Sequence, residues 1–414
     1  MKKLLSALVV TVFTSPVHPV FAEDVEALHW WTSGGEAAAI AVLKDDVKKK
    51  GYGWKDVPVA GGGGDAALTA LKARVTAGNP PTASQLSVMG VRAWAEEGLL
   101  GDLTPLAEAE GWSKVLLKPV LAGISYDGKV VAVPFNLHRS NWMWMNAAVF
   151  AKYDLAPPKT WDEFYAVGDK LKAAGIIPLA LGGEPWQETI LFEDAVLSAG
   201  GADLYHKALL DLDPAALTSD EMVKAFDTLR KVIQYVDPNY PGRAWNLGTA
   251  MVLKGEAGMQ LMGDWAKGEI VAAKLVPGKD ILCTPAPGNA GTYTFHFDAF
   301  GMFPTSGAKA EAQKALATSI MDPSFQETFN LAKGSIPART DVKPDKFDVC
   351  AQQAMKDIKQ AEADDALVGS VQGGAAQPPA VQGAIQDVVA RFFSSDQSSK
   401  DAAKALADAI ADAK

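Results

Sequence analysis

Cysteine and histidine are scarce in this chain, and their scarcity argues against most metal chemistry. The 414 residues include two cysteines, Cys283 and Cys350, and five histidines. Structural zinc sites use about four clustered cysteine or histidine ligands, and the sequence contains no such cluster. We therefore expect neither a metal nor a cofactor. In an oxidising compartment the two cysteines can pair, but the sequence alone does not decide whether they do.

Positive charge is also in short supply. Lysine and arginine number 39 against 49 aspartates and glutamates, a formal net charge of -10. A negative protein repels phosphate backbones and anionic lipids, which disfavours binding to nucleic acids or membrane surfaces.

Familiar catalytic motifs are absent as well. The glycines at 61–64 are followed by Asp65 and Ala66, so they do not form a phosphate-binding loop, which needs lysine and a hydroxyl residue there. Neither a zinc-protease helix motif nor a nucleophile-elbow serine occurs. We expect no enzymatic activity.

The N-terminus has the pattern of a secretory signal peptide. Lys2 and Lys3 precede an apolar run at residues 4–13, and small or tolerated residues at 20–22 suit a signal peptidase. The run is too short to span a membrane permanently, although an uncleaved anchor is the alternative. Because no cysteine follows it, we expect no lipoprotein attachment. Cleavage after residue 22 would remove two lysines and leave a charge of 37 − 49 = -12.

Strand and helix patterns alternate after the signal peptide. Residues 27–31, 54–59 and 83–88 are β-prone, and residues 36–50, 65–77 and 91–97 have helical patterns. This alternation predicts an α/β fold with a mostly parallel sheet covered by helices. A chain of this length favours two domains. The alanine-rich residues 384–414 are predicted to be helical.

Two further β-prone stretches, at 129–134 and 293–300, are candidates for segments that cross between the domains, and a third lies near 334–339. Periodicity alone does not establish this topology.

An ordered set of motifs resembles the extracellular solute-binding proteins of carbohydrate ABC transporters. The motifs are VPFNLHRSN at 133–141, PKTWDEF at 158–164, KGEAGM at 254–259 and MGDW at 262–265. HWWTSGGE at 29–36 and KGSI at 333–336 are similar to the glucose- and galactose-binding branch of that family. Each motif is weak alone, but their order and spacing agree over nearly the whole mature chain.

The resemblance implies a two-lobe, maltose-binding-protein-like fold of class II, whose hinge has about three crossover segments. We expect an N-terminal lobe of residues 23–133 and 300–336 and a C-terminal lobe of residues 134–299 and 337–414. The implied protein is a periplasmic monomer that binds a small sugar and passes it to the permease subunits of an ABC transporter. Docking on a chemoreceptor is an open additional role.

A sugar presents hydroxyl groups at its rim and C–H patches on its faces, so its site needs aromatic planes and polar partners. By resemblance the planes come from Trp30, Trp31, Trp245 and Trp265. We expect one of the two adjacent indoles in the pocket and the other partly in the core. Core packing is the alternative for Trp245 and Trp265.

The resemblance also selects six polar residues, namely Glu36, Gln85, Asn136, His138, Asp298 and Lys333. A carboxylate in the apolar stretch around Asp298 would be costly without partners, so something must satisfy it. Glu36 has a helix-dipole role as its alternative, Lys333 a solvated helix terminus, and His138 a place behind the sugar. Asp264 is expected to cap the helix that follows it.

The sequence departs from the branch at two places, which leaves the sugar open. Ser87 stands where relatives have a longer histidine or lysine, and residues 369–373 lack the histidine of relatives. A disaccharide or another sugar is therefore an alternative ligand. A secreted glycoside hydrolase is a further alternative, but nothing pairs Glu36, Asp264 or Asp298 across a scissile bond.

Overall fold

The computed structural model describes residues 24–61 and 64–414. The predicted signal peptide at 1–22 lies outside the described residues. Within them, no helix combines the length and the apolar character that a membrane span requires.

Fifteen strands are present in the described parts of the chain, most of them short. They are β1 (Asp24–His29), β2 (Gly53–Pro58), β3 (Ala83–Leu86), β4 (Ser125–Tyr126), β5 (Lys129–Val130), β6 (Ala132–Pro134), β7 (Asn136–Arg139), β8 (Trp142–Asn146), β9 (Ile177–Leu179), β10 (Ala257–Leu261), β11 (Ile281–Pro285), β12 (Tyr293–His296), β13 (Ala299–Met302), β14 (Ile336–Pro337) and β15 (Leu367–Gly369).

Seventeen α-helices are described, and the long α8 bends at Gly201, where φ is 65°. They are α1 (Gly34–Lys49), α2 (Asp65–Thr76), α3 (Val88–Glu96), α4 (Thr104–Ala109), α5 (Lys118–Gly123), α6 (Ala147–Lys152), α7 (Trp161–Ala173), α8 (Pro185–Tyr205), α9 (Pro214–Leu217), α10 (Asp220–Val232), α11 (Trp245–Leu253), α12 (Ala266–Ala272), α13 (Ala308–Met321), α14 (Pro323–Lys333), α15 (Val349–Ala363), α16 (Pro379–Phe393) and α17 (Ser399–Ala413).

The first sheet has the strand order β2-β1-β3-β13-β6. β1 runs parallel to β2 and β3, whereas β13 is antiparallel to β3 and β6. The helix α1 buries Ile40, Leu43 and Val47, which recur at helical spacing on one face, in the core that covers this sheet. The α/β unit that the alternating pattern predicted is present. The prediction of a mostly parallel sheet is wrong, because β13 joins the first three strands in the antiparallel sense and makes the sheet mixed.

The second sheet has the order β11-β8-β10-β9 and belongs to a separate packing unit. β8 is antiparallel to both β10 and β11, and β10 is parallel to β9. The helices α7, α8, α10, α16 and α17 supply most of the apolar cluster on this side. The two sheets therefore support two lobes.

A third sheet, here called the linking sheet, has the order β14-β7-β12-β15. β7 follows directly after β6 of the first sheet, and β12 precedes β13 of the first sheet, so the chain passes between sheets here. The register pairs Phe295 with Arg139 and His296 with His138. The predicted two-lobe α/β class is confirmed, while the boundaries at 133, 299 and 336 stay predictions.

The stretch 293–300 is not one strand as predicted but two, β12 and β13, which break at Phe297 and Asp298. The break occurs because the chain changes sheets. There the backbone N–H of Asp298 donates to Asn136 Oδ1 at 2.9 Å, and its carbonyl accepts from Phe135 N at 2.9 Å. The stretch 129–134 is likewise divided into β5 and β6.

The predicted helix at 384–414 is also divided, into α16 and α17. Alanine content favours helix, but the polar residues between them end one helix and begin another. The hydroxyl of Ser398 accepts from the backbone N–H of Asp401 at 3.1 Å and so caps α17.

The two cysteines form a disulfide bond between β11 and α15, at Cys283 and Cys350. The bond joins positions 67 residues apart in sequence, with Cα atoms separated by 6.1 Å. The structure therefore contains the disulfide bond that the sequence alone did not decide.

Removing the disulfide is expected to lower the free energy of unfolding by about 2 to 4 kcal/mol, because a cross-link restricts the unfolded chain. Chemical denaturation of a Cys283→Ser/Cys350→Ser double variant measures this loss. A thiol reductant should destabilise the wild type and leave the double variant unaffected. Equal free energies of unfolding for the double variant and the disulfide-bonded wild type would show that the bond contributes nothing.

Candidate functional site

A cleft of about 1290 Å³ runs between the elements of the first sheet and those of the second. Its aromatic lining includes Trp30, Trp31, Trp186, Trp245 and Trp265. Of the ten predicted site residues, eight line this cleft: Trp30, Trp31, Glu36, His138, Trp245, Trp265, Asp298 and Lys333. Gln85 and Asn136 are fully buried and bond to these residues from behind.

Asp298 is the centre of the polar floor of the cleft. Its Oδ1 accepts from Gln85 Nε2 at 2.9 Å, and its Oδ2 accepts from Asn136 Nδ2 at 3.0 Å and lies 3.1 Å from His138 Nε2. The partners that a buried carboxylate requires are therefore present. Burial alone would raise the pKa of Asp298, but His138 and the positive charge of Lys333 hold it well below its usual range.

His138 lies between two carboxylates. Its Nδ1 is 2.5 Å from Asp264 Oδ1, opposite the contact with Asp298. Burial opposes the charged imidazolium, but Asp264 and Asp298 outweigh it and raise the pKa of His138. Both ring nitrogens can then donate, each to one carboxylate.

The expectation that Asp264 caps a helix is wrong. Its Oδ2 accepts from the backbone N–H of Arg139 at 3.1 Å, and α12 begins without a side-chain cap. Asp264 follows β10 and faces β7, so its carboxylate compensates the charge of His138. This role depends on the position of β7 beside Asp264, which the local sequence does not indicate.

His296 was not selected from the sequence, although it lines the cleft. Its ring stacks on that of His138 with centroids 4.9 Å apart. Burial and the neighbouring His138 lower the pKa of His296 to about 3, so it is neutral beside the charged imidazolium. Its position two residues before Asp298 was the available signal, but the register that places it on His138 is a tertiary feature.

Trp186, the second residue of α8, was also missed. Its ring centroid lies 6.2 Å from that of Trp265, and both line the cleft. Trp245 lines the cleft as the first residue of α11, rather than in a loop before that helix.

Lys333 and Glu36 form a second polar pair at the cleft. Lys333 is the last residue of α14 and is only 3 % exposed, so it is not a solvated terminal lysine. Its Nζ lies 3.5 Å from Glu36 Oε1 and 5.9 Å from the centre of the Trp31 ring. Glu36 also caps α1, since its Oε2 accepts from the backbone N–H groups of Thr32 and Ser33. Glu36 therefore lines the cleft and stabilises the start of α1, while its contact with a sugar stays a prediction.

The two adjacent indoles divide as expected. Trp31 is 2 % exposed and packs against Phe135 and Phe329, with ring centroids 5.1 and 5.4 Å away. Trp30 is half-buried, and its backbone N–H donates to Gln85 Oε1 at 3.1 Å. Trp31 therefore joins the cleft to the core, while Trp30 exposes more of its surface to the cleft.

Residues 31–322 match the family model described as bacterial extracellular solute-binding protein. The chain belongs to this family. It is 51 % identical over 414 residues to a protein of Mesorhizobium japonicum named "Probable sugar-binding periplasmic protein", covering 100 % of this chain and 99 % of that relative.

Solved structures share the fold at low sequence identity. The bacterial solute receptor AcbH, which is described as having an exclusive preference for β-D-galactopyranose, matches with a TM-score of 0.81 at 16 % identity, over 94 % of this chain and 98 % of that one. Maltose-bound MalE3 of T. maritima matches with a TM-score of 0.75 at 18 % identity, over 94 % of this chain and 99 % of that one. The predicted maltose-binding-protein-like fold is confirmed.

The family consists of proteins that bind solutes rather than convert them, so this chain is a binding protein and not an enzyme. Among the described residues, no group of histidine, cysteine and acidic side chains has the arrangement of a metal site.

We expect the side chains of His138 and His296 to differ in protonation near neutral pH. With ¹⁵N-labelled histidine, His138 should give the signals of an imidazolium and titrate above pH 6.5, its usual pKa. His296 should stay neutral until the solution is far more acidic, since its pKa is about 3. A His138→Gln variant assigns the signals, and a His138 titration below its usual pKa would contradict the paired carboxylates.

Proposed function

We propose that this protein is the periplasmic sugar-binding component of an ABC importer and that it binds a monosaccharide such as glucose or galactose. The main observation in support is that tryptophan rings and buried ionised side chains face one cleft. This combination suits a ligand with apolar faces and a rim of hydroxyl groups. The name of the Mesorhizobium japonicum relative supports a sugar as the ligand and the periplasm as the location.

The polar groups of the cleft include both hydrogen-bond acceptors and a donor, and a sugar hydroxyl group can use both. Asp298 and Glu36 supply carboxylate acceptors, and Lys333 supplies an ammonium donor at the same wall. Hydrogen bonds to charged partners are the stronger kind. Micromolar capture requires about 8 kcal/mol of binding free energy, which a few such bonds and one or two stacked rings can supply.

Binding between the lobes gives a mechanism for capture and delivery. Glu36 and Lys333 belong to the predicted N-terminal lobe, whereas Trp245 and Trp265 belong to the predicted C-terminal lobe. A sugar that contacts both sets favours the closed arrangement, because only that arrangement makes all the contacts. The permease subunits would bind the closed protein and take up the sugar as the lobes reopen.

The helices α1 and α12 are in direct contact and so connect the two predicted lobes. The carboxylate of Glu269 on α12 accepts from the backbone N–H of Gly35 at the start of α1, at 2.8 Å. A Cβ at Gly35 would lie 2.6 Å from the backbone carbon of Gly268, so the two helices touch without room for a side chain. We infer that the two lobes pivot about this contact, close to the residues that would face the sugar.

The size of the sugar is the open element of the proposal. The cleft of about 1290 Å³ exceeds the roughly 300 to 1,000 Å³ that pockets for small molecules occupy, which keeps a disaccharide as the alternative. The monomeric state and docking on a chemoreceptor stay predictions.

Asp298→Ala is expected to weaken sugar binding by well over tenfold, because the replacement leaves the sugar hydroxyls and the amides of Gln85 and Asn136 without their acceptor. Titration of tryptophan fluorescence with glucose, galactose and maltose measures the affinity. Asp56→Asn is the matched control, since Asp56 pairs with the buried His29 outside the cleft.

The control should lose stability but keep its affinity for sugar. Unchanged affinity in Asp298→Ala would remove Asp298 from the site. Failure of the wild type to respond to any of the sugars would contradict the proposed function itself.

A further inference from the structure

A wholly buried carboxylate, that of Glu193 on α8, lies outside the cleft but holds a segment that lines it. The segment is the turn after β15, residues 370–374, here called the 370–374 loop. Glu193 is 1 % exposed, and Gln372, Gly373 and Gly374 line the cleft.

The Glu193 carboxylate accepts from several donors of this loop. Its Oε1 accepts from the backbone N–H of Val371 at 2.6 Å, and its Oε2 from that of Gln372 at 3.2 Å. The hydroxyl of Ser370 donates to Oε2 at 3.1 Å, and Tyr205, the last residue of α8, donates to Oε1. Two successive backbone N–H groups thus point at one buried anion, which fixes the course of the loop.

The loop in turn packs against the floor of the cleft. A Cβ at Gly373 would lie 2.3 Å from Cγ of His296, so the backbone touches the imidazole ring directly. The same ring stacks on that of His138, which bonds Asp298. Contacts therefore lead from Glu193 through the loop to the polar floor.

The far end of the loop reaches the opposite lobe. The carbonyl of Gly374 accepts from the backbone N–H of Met89 on α3 at 2.8 Å. A Cβ at Gly374 would lie 2.7 Å from the hydroxyl oxygen of Ser87. The loop backbone therefore packs directly against the short side chain of Ser87, at the start of α3.

The loop also presents an uncommitted acceptor. The side-chain Oε1 of Gln372 is buried and has no hydrogen-bond partner among the described residues. The same residue donates its backbone N–H to Glu193, so the carboxylate helps to position a residue that lines the cleft.

We propose that Glu193 is a positioning residue for sugar capture: it anchors the 370–374 loop, which closes one end of the cleft against α3. This inference rests on the proposed function for its ligand and on the geometry of the loop for its mechanism. Loss of the carboxylate charge releases the two backbone N–H groups and loosens that wall.

The environment of Glu193 makes its charge sensitive to pH. Burial raises the pKa of Glu193 to about 7, although its four donors oppose the rise. The titratable groups beside it are Asp194 and Tyr205 of α8, and Arg139 of β7 acts on Asp194. The buried residues of α10 and α16, which pack against α8, are apolar. Below about pH 7 the protonated carboxyl is a poorer acceptor, so the loop should loosen as the solution becomes acidic.

Glu193→Gln tests the proposal because the amide keeps the shape and removes the charge. We expect the affinity for the sugar that the wild type binds to fall by about fivefold or more near pH 8. We also expect hydrogen exchange at the amides of Val371 and Gln372 to accelerate. The wild type should lose affinity between about pH 8 and pH 6, and the variant should lose less over that range.

Glu188→Gln is the matched control on the same helix. Burial alone raises the pKa of Glu188 to about 7, and Glu188 does not line the cleft. This variant should keep the affinity, the pH profile and the amide protection of the wild type. The titration of His138 is common to all the proteins and cancels in the comparison.

Gly373→Ala provides a second test in case Glu193→Gln folds poorly, since its methyl group would push the loop off His296. It should weaken sugar binding and keep the pH response. If Glu193→Gln matched the wild type in affinity and pH profile, or if its two amides stayed protected, the proposal would be overturned. If the wild type bound none of the sugars, the proposed function would fail, and amide exchange would still decide whether Glu193 anchors the loop.

Discussion

The charge of Asp298, buried where the chain passes from the linking sheet to the first sheet, constrains the rest of the site. An ionised carboxylate without water or partners costs several kcal/mol. Here the compensation comes from Gln85 on β3 and from Asn136 and His138 on β7. Two strands from different sheets must therefore lie in register with Asp298, so the arrangement that makes the floor of the cleft also ties the first sheet to the linking sheet.

Charged side chains of alternating sign form a row at and behind that floor. Asp298, His138 and Asp264 follow one another as anion, cation and anion, and the neutral His296 stacks beside them. Each of these charges is compensated within the protein, so the cleft does not need a charged ligand to balance them. The tryptophan faces, the Lys333 ammonium and the remaining acceptor capacity of the carboxylates stay directed at the cleft. The floor is a network of buried groups that satisfy one another, while the walls come from elements of both predicted lobes.

Sequence reasoning succeeded where the signal is local. The predicted first helix began at residue 36 and ended at 50, close to Gly34–Lys49 in the structure, because a helical face repeats within a few residues. It failed where the chain changes partners. Residues 293–300 have continuous β propensity, yet they divide at Asp298 because the two halves pair with different sheets. The alanine-rich C-terminus was divided in the same way by the polar residues before Ser398.

The candidate site shows the same division. The family resemblance selected eight residues that the fold brings to one cleft, although those residues are spread from position 30 to 333. His296, Trp186 and Glu193 were missed, because their roles depend on strand register and on contacts between distant segments. Asp264 was assigned to the helix next to it, whereas its partner His138 is 126 residues away in sequence.

By itself the sequence determined the α/β class and the kinds of side chain available to a ligand, since these follow from periodicity and composition. Its ordered motifs also gave the resemblance to a family of binding proteins. Only the tertiary structure decided which of those side chains face the cleft, which support them from behind and which carry charge. The physical reason is that burial and pairing set the energy of a charged group, and both depend on segments that meet only in the folded chain.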